Sequence, residues 1–235
     1  MRKKTDIEQV RQIAETLLYV DVKETEFVWF LVHPFFNQRH IMLHKDDKTL
    51  TDILASKENL DKARKLYLEM IREADLWRIV CLMHKPYRPL LFKLAHEYLS
   101  EKDYNELLAY VWTGTENPNQ DANVSIPQWI RFFKKANMKY LMSEEDREFY
   151  DKLPDGPITV YRGVGQGREP YGLSWTINED TARWFANRWK NPDAYMFKGQ
   201  CYKKDVLAYF NSRGEDELVV SVKDIINIER INFNE

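Results

Sequence analysis

Cysteine is nearly absent from this chain. Two residues in 235, Cys81 and Cys201, cannot build a disulfide framework and match no zinc spacing. A reducing cytoplasm is therefore the simplest setting, and both are expected to be buried, inert thiols. Histidine is also scarce. His33, His40, His44, His84 and His96 are scattered without a second ligand at metal spacing, so they read as satisfied structural residues and no metal is expected. A long apolar run is missing as well: Met1-Arg2-Lys3-Lys4 carries the charge of a secretion signal, but Asp6, Glu8, Gln9, Arg11, Gln12 and Glu15 interrupt whatever apolar segment would have to follow. Neither export nor a membrane anchor is expected. Charge of one sign is lacking too. The net charge is −2, and from Lys152 onward 12 basic residues balance 12 acidic ones. Arg131, Lys134, Lys135 and Lys139 form the only local basic group and read as one solvated helix flank, which argues against nucleic acid as a partner. No internal repeat or low-complexity tract is visible.

What is present suffices for a core, with 44% hydrophobic and 14% aromatic residues. The first 150 residues read as mainly helical, because apolar residues recur at spacings of three and four: Ile7, Val10, Ile13, Leu17 and Leu18, then Leu60, Ala63, Leu66, Met70 and Ile71. Ser100 with Asp103, Ser143 with Asp146, and Ser125 before Ile126-Pro127 mark helix starts. The β-branched and aromatic stretch Glu26 to Val32 predicts one intruding strand. At Lys152-Leu153-Pro154-Asp155-Gly156-Pro157 turn formers cluster, placing a junction between a helical region, 1–151, and a second region, 152–235. Beyond it, strand-like runs cover Ile158 to Arg162, Gly172 to Thr176, Tyr195 to Tyr202, Val206 to Phe210, Glu217 to Val222 and Ile225 to Phe233. One helix, opened by Asn178, lies between the second and third. The expected class is α+β.

Three segments of the second region stand in a telling order: Val160-Tyr161-Arg162-Gly163, Gly172-Leu173-Ser174-Trp175-Thr176, and Arg213-Gly214-Glu215-Asp216-Glu217-Leu218-Val219-Val220. Together they resemble the arginine, serine-x-serine/threonine and glutamate-x-glutamate signatures of mono-ADP-ribosyltransferases, over about residues 155–233. The resemblance implies a split sandwich of two sheets around an NAD cleft, and cleavage of the nicotinamide–ribose bond with transfer of ADP-ribose to a protein. NAD serves as substrate. Where such proteins more often carry serine-threonine-serine, this chain has serine-tryptophan-threonine, with hydroxyls kept at both same-face positions.

Each residue type suits that chemistry. Breaking an N-glycosidic bond develops an oxocarbenium-like cation, which a fixed carboxylate stabilises. The resemblance gives that role to Glu217, at a strand end, and makes Ser174 the hydroxyl that orients it, with Thr176 supporting the same face. It also implies that Arg162 grips the phosphates through its planar fork, with Gly163 leaving room for the ligand. Phe185 either stacks on the nicotinamide or packs its helix onto the sheet. In the proteins this chain resembles, a glutamate at the position of Glu215 accompanies transfer to arginine, so the resemblance implies arginine as the acceptor, which suits a carboxylate that pairs with a guanidinium and assists its deprotonation. Tyr209 and Phe210 are candidates to stack on the incoming side chain, with at least one of them expected to be buried instead.

Two other signals are weighed against this. Gly163-Val164-Gly165-Gln166-Gly167 invites a dinucleotide-fold reading, but no helix pattern follows, so it reads as a loop between strands that closes over NAD. The polar segment Trp112 to Asp121 reads first as a capped turn and second as a contact to a target or to the cleft. The expectation is a cytoplasmic protein, and the resemblance implies a toxin-like effector of bacterial or phage type that acts within a cell, here or in a host, on a protein target bearing an acceptor arginine. Its N-terminal helices select the target or shape the site. Two alternatives stay open: an NAD glycohydrolase with water as acceptor, and an inactive transferase fold kept as a binding module.

Overall fold

The computed structural model describes residues 2–43, 49–189 and 193–233. His44 lies outside the described residues. The chain forms two compact units, Met1–Asp103 and Tyr104–Glu235. The division falls earlier than the expected junction at 151/152, so the helices from Tyr104 to Asp151 belong with the sheet.

The first unit holds α1 (Ile7–Leu18), β1 (Lys23–Glu24), β2 (Leu31–Val32), β3 (His40–Ile41), β4 (Thr51–Asp52), α2 (Lys57–Glu73), α3 (Leu76–Leu82) and α4 (Arg88–Ala95). The apolar stripe of α1 buries Val10, Leu17 and Leu18 as its spacing predicts, with Ala14 beside them. Asp6 caps this helix by accepting the Gln9 N–H. The strand expected over Glu26–Val32 shrinks to Leu31–Val32, paired antiparallel with Lys23–Glu24. Phe27 to Phe30 turn instead. The Thr25 hydroxyl accepts the Phe27 N–H and lies 2.9 Å from the Phe27 carbonyl, and Phe30 N–H closes on that same carbonyl. Local side-chain bonds of this kind compete with a ladder. His33 is fully buried, stacked on Phe36, and accepts the N–H groups of Phe35 and Phe36 through Nδ1. Burial, with Arg64 nearby, lowers its pKa to about 4, so it is a neutral structural histidine. Cys81 corrects the expectation of two buried thiols: it is exposed, whereas Cys201 is buried and its thiol is pushed up to about 12 by desolvation.

In the second unit, α5 (Glu101–Gly114) starts at the boundary, and α6 (Ile126–Lys134), α7 (Met138–Leu141) and α8 (Glu144–Asp151) follow. The caps of α5, α6 and α8 are those the sequence marks, while α7 starts at Asn137, which is not among the expected helix starts. Ser100 and Ser143 accept the N–H groups of Asp103 and Asp146, and Ser125 with Gln128 completes a capping box before Pro127. Arg131, Lys134, Lys135 and Lys139 are exposed, but they do not form the one helix flank expected: the first two lie on α6, Lys135 caps its C-terminus and Lys139 lies on α7. Then come β5 (Ile158–Val164), β6 (Ser174–Thr176), α9 (Glu179–Asn187), β7 (Tyr195–Cys201), β8 (Val206–Phe210), β9 (Glu217–Val220) and β10 (Ile226–Asn232). All six expected strands form, with ends shifted by a few residues, and Asn178 caps α9 by accepting the Thr181 N–H.

The six strands make one antiparallel sheet in the order β10-β7-β5-β6-β9-β8. Its middle is thin. β5 and β6 share the single pair Tyr161↔Thr176, whereas β5 and β7 run together over seven pairs. The sheet is thus two three-stranded halves joined at a narrow seam. α9 lies against β5. A Cβ on Gly163 would collide with the Ala182 carbonyl and the Ala186 nitrogen. This corrects the reading of Gly163 as an opening for a ligand: the space its side chain would fill is taken by the helix, although its backbone still borders the cleft.

Candidate active site

The cleft opens beside the seam, and its walls come from several segments of the second unit: the end of α5 and the loop after it, β5, β6, α9 and the turn before β9. Glu217, Glu215, Ser174, Thr176, Arg162, Gly163 and Phe185 all line it. Residues spread over more than fifty positions of sequence are thereby gathered into one place.

Glu217 opens β9, directly opposite Thr176, with Ser174 two residues along the same face. It is buried. The Trp112 indole N–H donates to Oε1 at 3.1 Å, and the Ser174 hydroxyl, on the same face of the neighbouring strand, also favours the ionised carboxylate. Burial raises the Glu217 pKa above its ordinary value, a shift opposed by these two groups and by Arg213 and reinforced by the charge of Glu215. Thr176 works indirectly: its hydroxyl donates to the Glu215 carbonyl at 2.8 Å and accepts the Asn178 N–H, tying the turn before β9 to the start of α9. Trp175 faces away into the core, bonded to the Gly172 carbonyl.

The turn that carries the two glutamates bends through left-handed backbone at Gly214 and Asp216, with φ of 69° and 47°. Asp216 is held there because its carboxylate accepts the Tyr209 hydroxyl at 2.7 Å and its N–H donates to Asn211. Glu215 projects into the cleft, partly exposed, and its Oε2 meets the Arg213 guanidinium at 2.8 Å. Tyr209 and Phe210 correct the idea of an aromatic acceptor loop. Both are buried on β8, Tyr209 stacked on Phe149 and Phe210 against Phe133.

Arg162 sits on the inward face of β5 with Ile158, Val160 and Val164. Its guanidinium donates to the carbonyls of Pro170 (3.1 Å), Ser174 (2.6 Å) and Glu169 (2.6 Å). These bonds draw the 165–173 loop and β6 onto β5 at the seam. Desolvation lowers its pKa to about 10, which leaves it cationic at neutral pH. With three of five N–H groups engaged, two remain on the terminal nitrogens. Phe185 is half-buried on the cleft side of α9, edge-on to Trp184.

The segment after α5 does more than turn. Asn119 donates from Nδ2 to the Ser174 hydroxyl at 3.3 Å and accepts the Leu173 N–H at 2.6 Å. Gln120 donates to the Gly167 carbonyl, and Arg168 pairs with Glu116 at 3.7 Å, so the glycine loop is pinned to this segment. Contact with the cleft, the second expectation for Trp112 to Asp121, holds at Trp112 and Asn119, neither of which stands out in the sequence. The high density of amide and acidic side chains over these residues was the available signal. Among the described residues no group of three or more His, Cys, Asp or Glu is placed to hold a metal ion, and no helix is long and apolar enough to cross a membrane.

Comparison with protein-family models, with curated proteins and with solved structures finds no match to this chain.

Proposed function

We propose that the chain is an NAD-dependent mono-ADP-ribosyltransferase that moves ADP-ribose from NAD to an arginine of a protein target and releases nicotinamide. The observation that carries this reading is the setting of Glu217: a buried carboxylate at a strand end, bonded by Trp112, in a cleft that Ser174, Arg162, Phe185 and Glu215 also line. A carboxylate so fixed faces a developing cation without reorganising. In the proposed step the bond between ribose C1′ and the nicotinamide nitrogen breaks, nicotinamide leaves with the electron pair, and a guanidinium nitrogen attacks C1′ while its proton passes to Glu215. In this reading the two N–H groups of Arg162 not spent on carbonyls are the ones left for the phosphates, and Phe185 offers its ring to the nicotinamide. The sheet's division at one residue pair is compatible with a split sandwich opened around the dinucleotide. The setting is cytoplasmic, with a toxin-like effector of bacterial or phage type as the context.

Hydrolysis is the second reading, and one observation favours it: Arg213 already occupies Glu215, the group needed to receive an acceptor arginine. Labelled NAD incubated with the protein and a cell lysate tests both. Label on protein, lost in Glu217→Gln, supports transfer; label released only as free ADP-ribose supports hydrolysis; label left in NAD overturns both. Glu217→Gln keeps the shape and removes the charge, so cleavage should slow by the equivalent of about 2–4 kcal/mol of transition-state stabilisation.

A further inference from the structure

We propose that Trp112 is a positioning residue for Glu217, its indole N–H fixing Oε1 so that the carboxylate keeps a single orientation toward the cleft. The inference rests on the reading of Glu217 as the group that faces the reacting sugar. The geometry that carries it is specific. Trp112 lies on α5, far in sequence from the three motifs, and is buried. Its ring is gripped edge-on by Trp129 at 5.3 Å and Phe133 at 5.1 Å, and Trp129 is itself anchored by its N–H to the Pro118 carbonyl. The N–H therefore points in one direction, and it ends 3.1 Å from Oε1.

An indole nitrogen can donate and cannot accept. The Ser174 hydroxyl, on the neighbouring strand, can do either, so it tolerates both forms of the carboxyl group. Trp112 does not: it requires an acceptor at Oε1, and when Glu217 takes up a proton that proton must go to the other oxygen. Thr176, across the ladder, has spent its hydroxyl on the Glu215 backbone. The charged groups around Glu217 are Arg162 and Arg213, which favour ionisation, and Glu215, which opposes it. Against the burial that opposes the charge, the Trp112 bond is a directional counterweight supplied from outside the loop that bears Glu217.

Two measurements test this. In the unaltered protein without NAD, the Trp112 indole N–H resonance should shift with pH along the same curve as the 13C carboxyl signal of Glu217, and that shift should vanish in Glu217→Gln. Trp112→Phe keeps an aromatic ring between Trp129 and Phe133 but has no N–H. In this variant the Glu217 carboxyl should titrate at higher pH, and the acid limb of NAD cleavage should move the same way. kcat at neutral pH should fall roughly tenfold and recover as pH rises, with KM for NAD within about twofold of the parent. A merely structural role predicts lower stability with the limb unmoved, and that outcome overturns the proposal. So does an indole resonance indifferent to the Glu217 titration, which needs no variant fold. If the parent cleaves no NAD, the function proposed above fails, and the two titrations still decide the role of Trp112.

Discussion

Glu215 and Glu217 stand two residues apart in very different surroundings. Glu217 is buried and bonded by the neutral indole of Trp112, whereas Glu215 is partly open to water and carries Arg213 on one oxygen. A buried group whose charge is opposed by desolvation suits contact with a cation that exists only transiently, because the cation relieves the cost as it forms. A half-open carboxylate with an exchangeable guanidinium suits an acceptor that must arrive and leave. Glu215→Gln should therefore lower transfer to arginine about a hundredfold or more while nicotinamide release stays within a few-fold of the parent. Labelled protein and free nicotinamide, measured in one reaction, read the two separately. If both fall together, Glu215 belongs to bond cleavage and arginine is no longer implied as acceptor. Thermal stability should change little, since an exposed ion pair contributes little.

At the scale of elements, the site depends on how closely α9 approaches β5. Ala182 and Ala186 face Gly163, and no side chain fits between the two backbones. Gly163→Ala should destabilise the protein by about 1–3 kcal/mol through overpacking, and chemical denaturation should show it as a lower midpoint. An unchanged midpoint would mean that α9 can back away from the strand, and that the wall carrying Phe185 is loosely set. The strands and this helix were legible in the sequence because each is a short apolar run bounded by turn formers or a cap. Glu217, Ser174 and Arg162 were legible as a set through a recurring order of motifs. Trp112 was not, because an apolar-aromatic position on a helix reads as core, and only the folded register shows that its one polar atom meets Glu217. Glu26–Val32 failed as a strand for the opposite reason: its composition is right, but Thr25 supplies a competing local turn.

For the whole molecule, the decisive fact is that the compact unit bearing the cleft begins at Tyr104 and not near the proline-rich junction at 152–157. The turn formers there do mark a change of local structure, from α8 to β5, and a change of composition was read as a change of unit. Packing ignores that boundary. Phe210 rests on Phe133, the Tyr209 N–H points at the Met142 sulfur, and the Asn211 N–H donates to the buried Asp146 carboxylate. A fragment starting at Asp151 thus lacks both the packing under β8 and the Trp112 donor, and circular dichroism should show it largely unfolded. A fragment starting at Ser100 retains the cap of α5 and every residue that lines the cleft, so it should fold and cleave NAD within a few-fold of the full chain. With Tyr209 and Phe210 buried, the cleft offers an acceptor little beyond Glu215, and selectivity among the many surface arginines of a cell requires further contact area. The first unit exposes Phe27, Val28, Trp29 and Phe30 side by side, each more than half accessible, which gives it apolar surface to spend on a partner. On the proposed transferase reading, the Ser100 fragment should accordingly modify a protein target of the full chain at least tenfold more slowly than the full chain does, while releasing nicotinamide at a similar rate. Undiminished modification of the same target would remove the first unit from target selection, and NAD cleavage by a folded Asp151 fragment would show that the carboxylate at Glu217 needs nothing from α5.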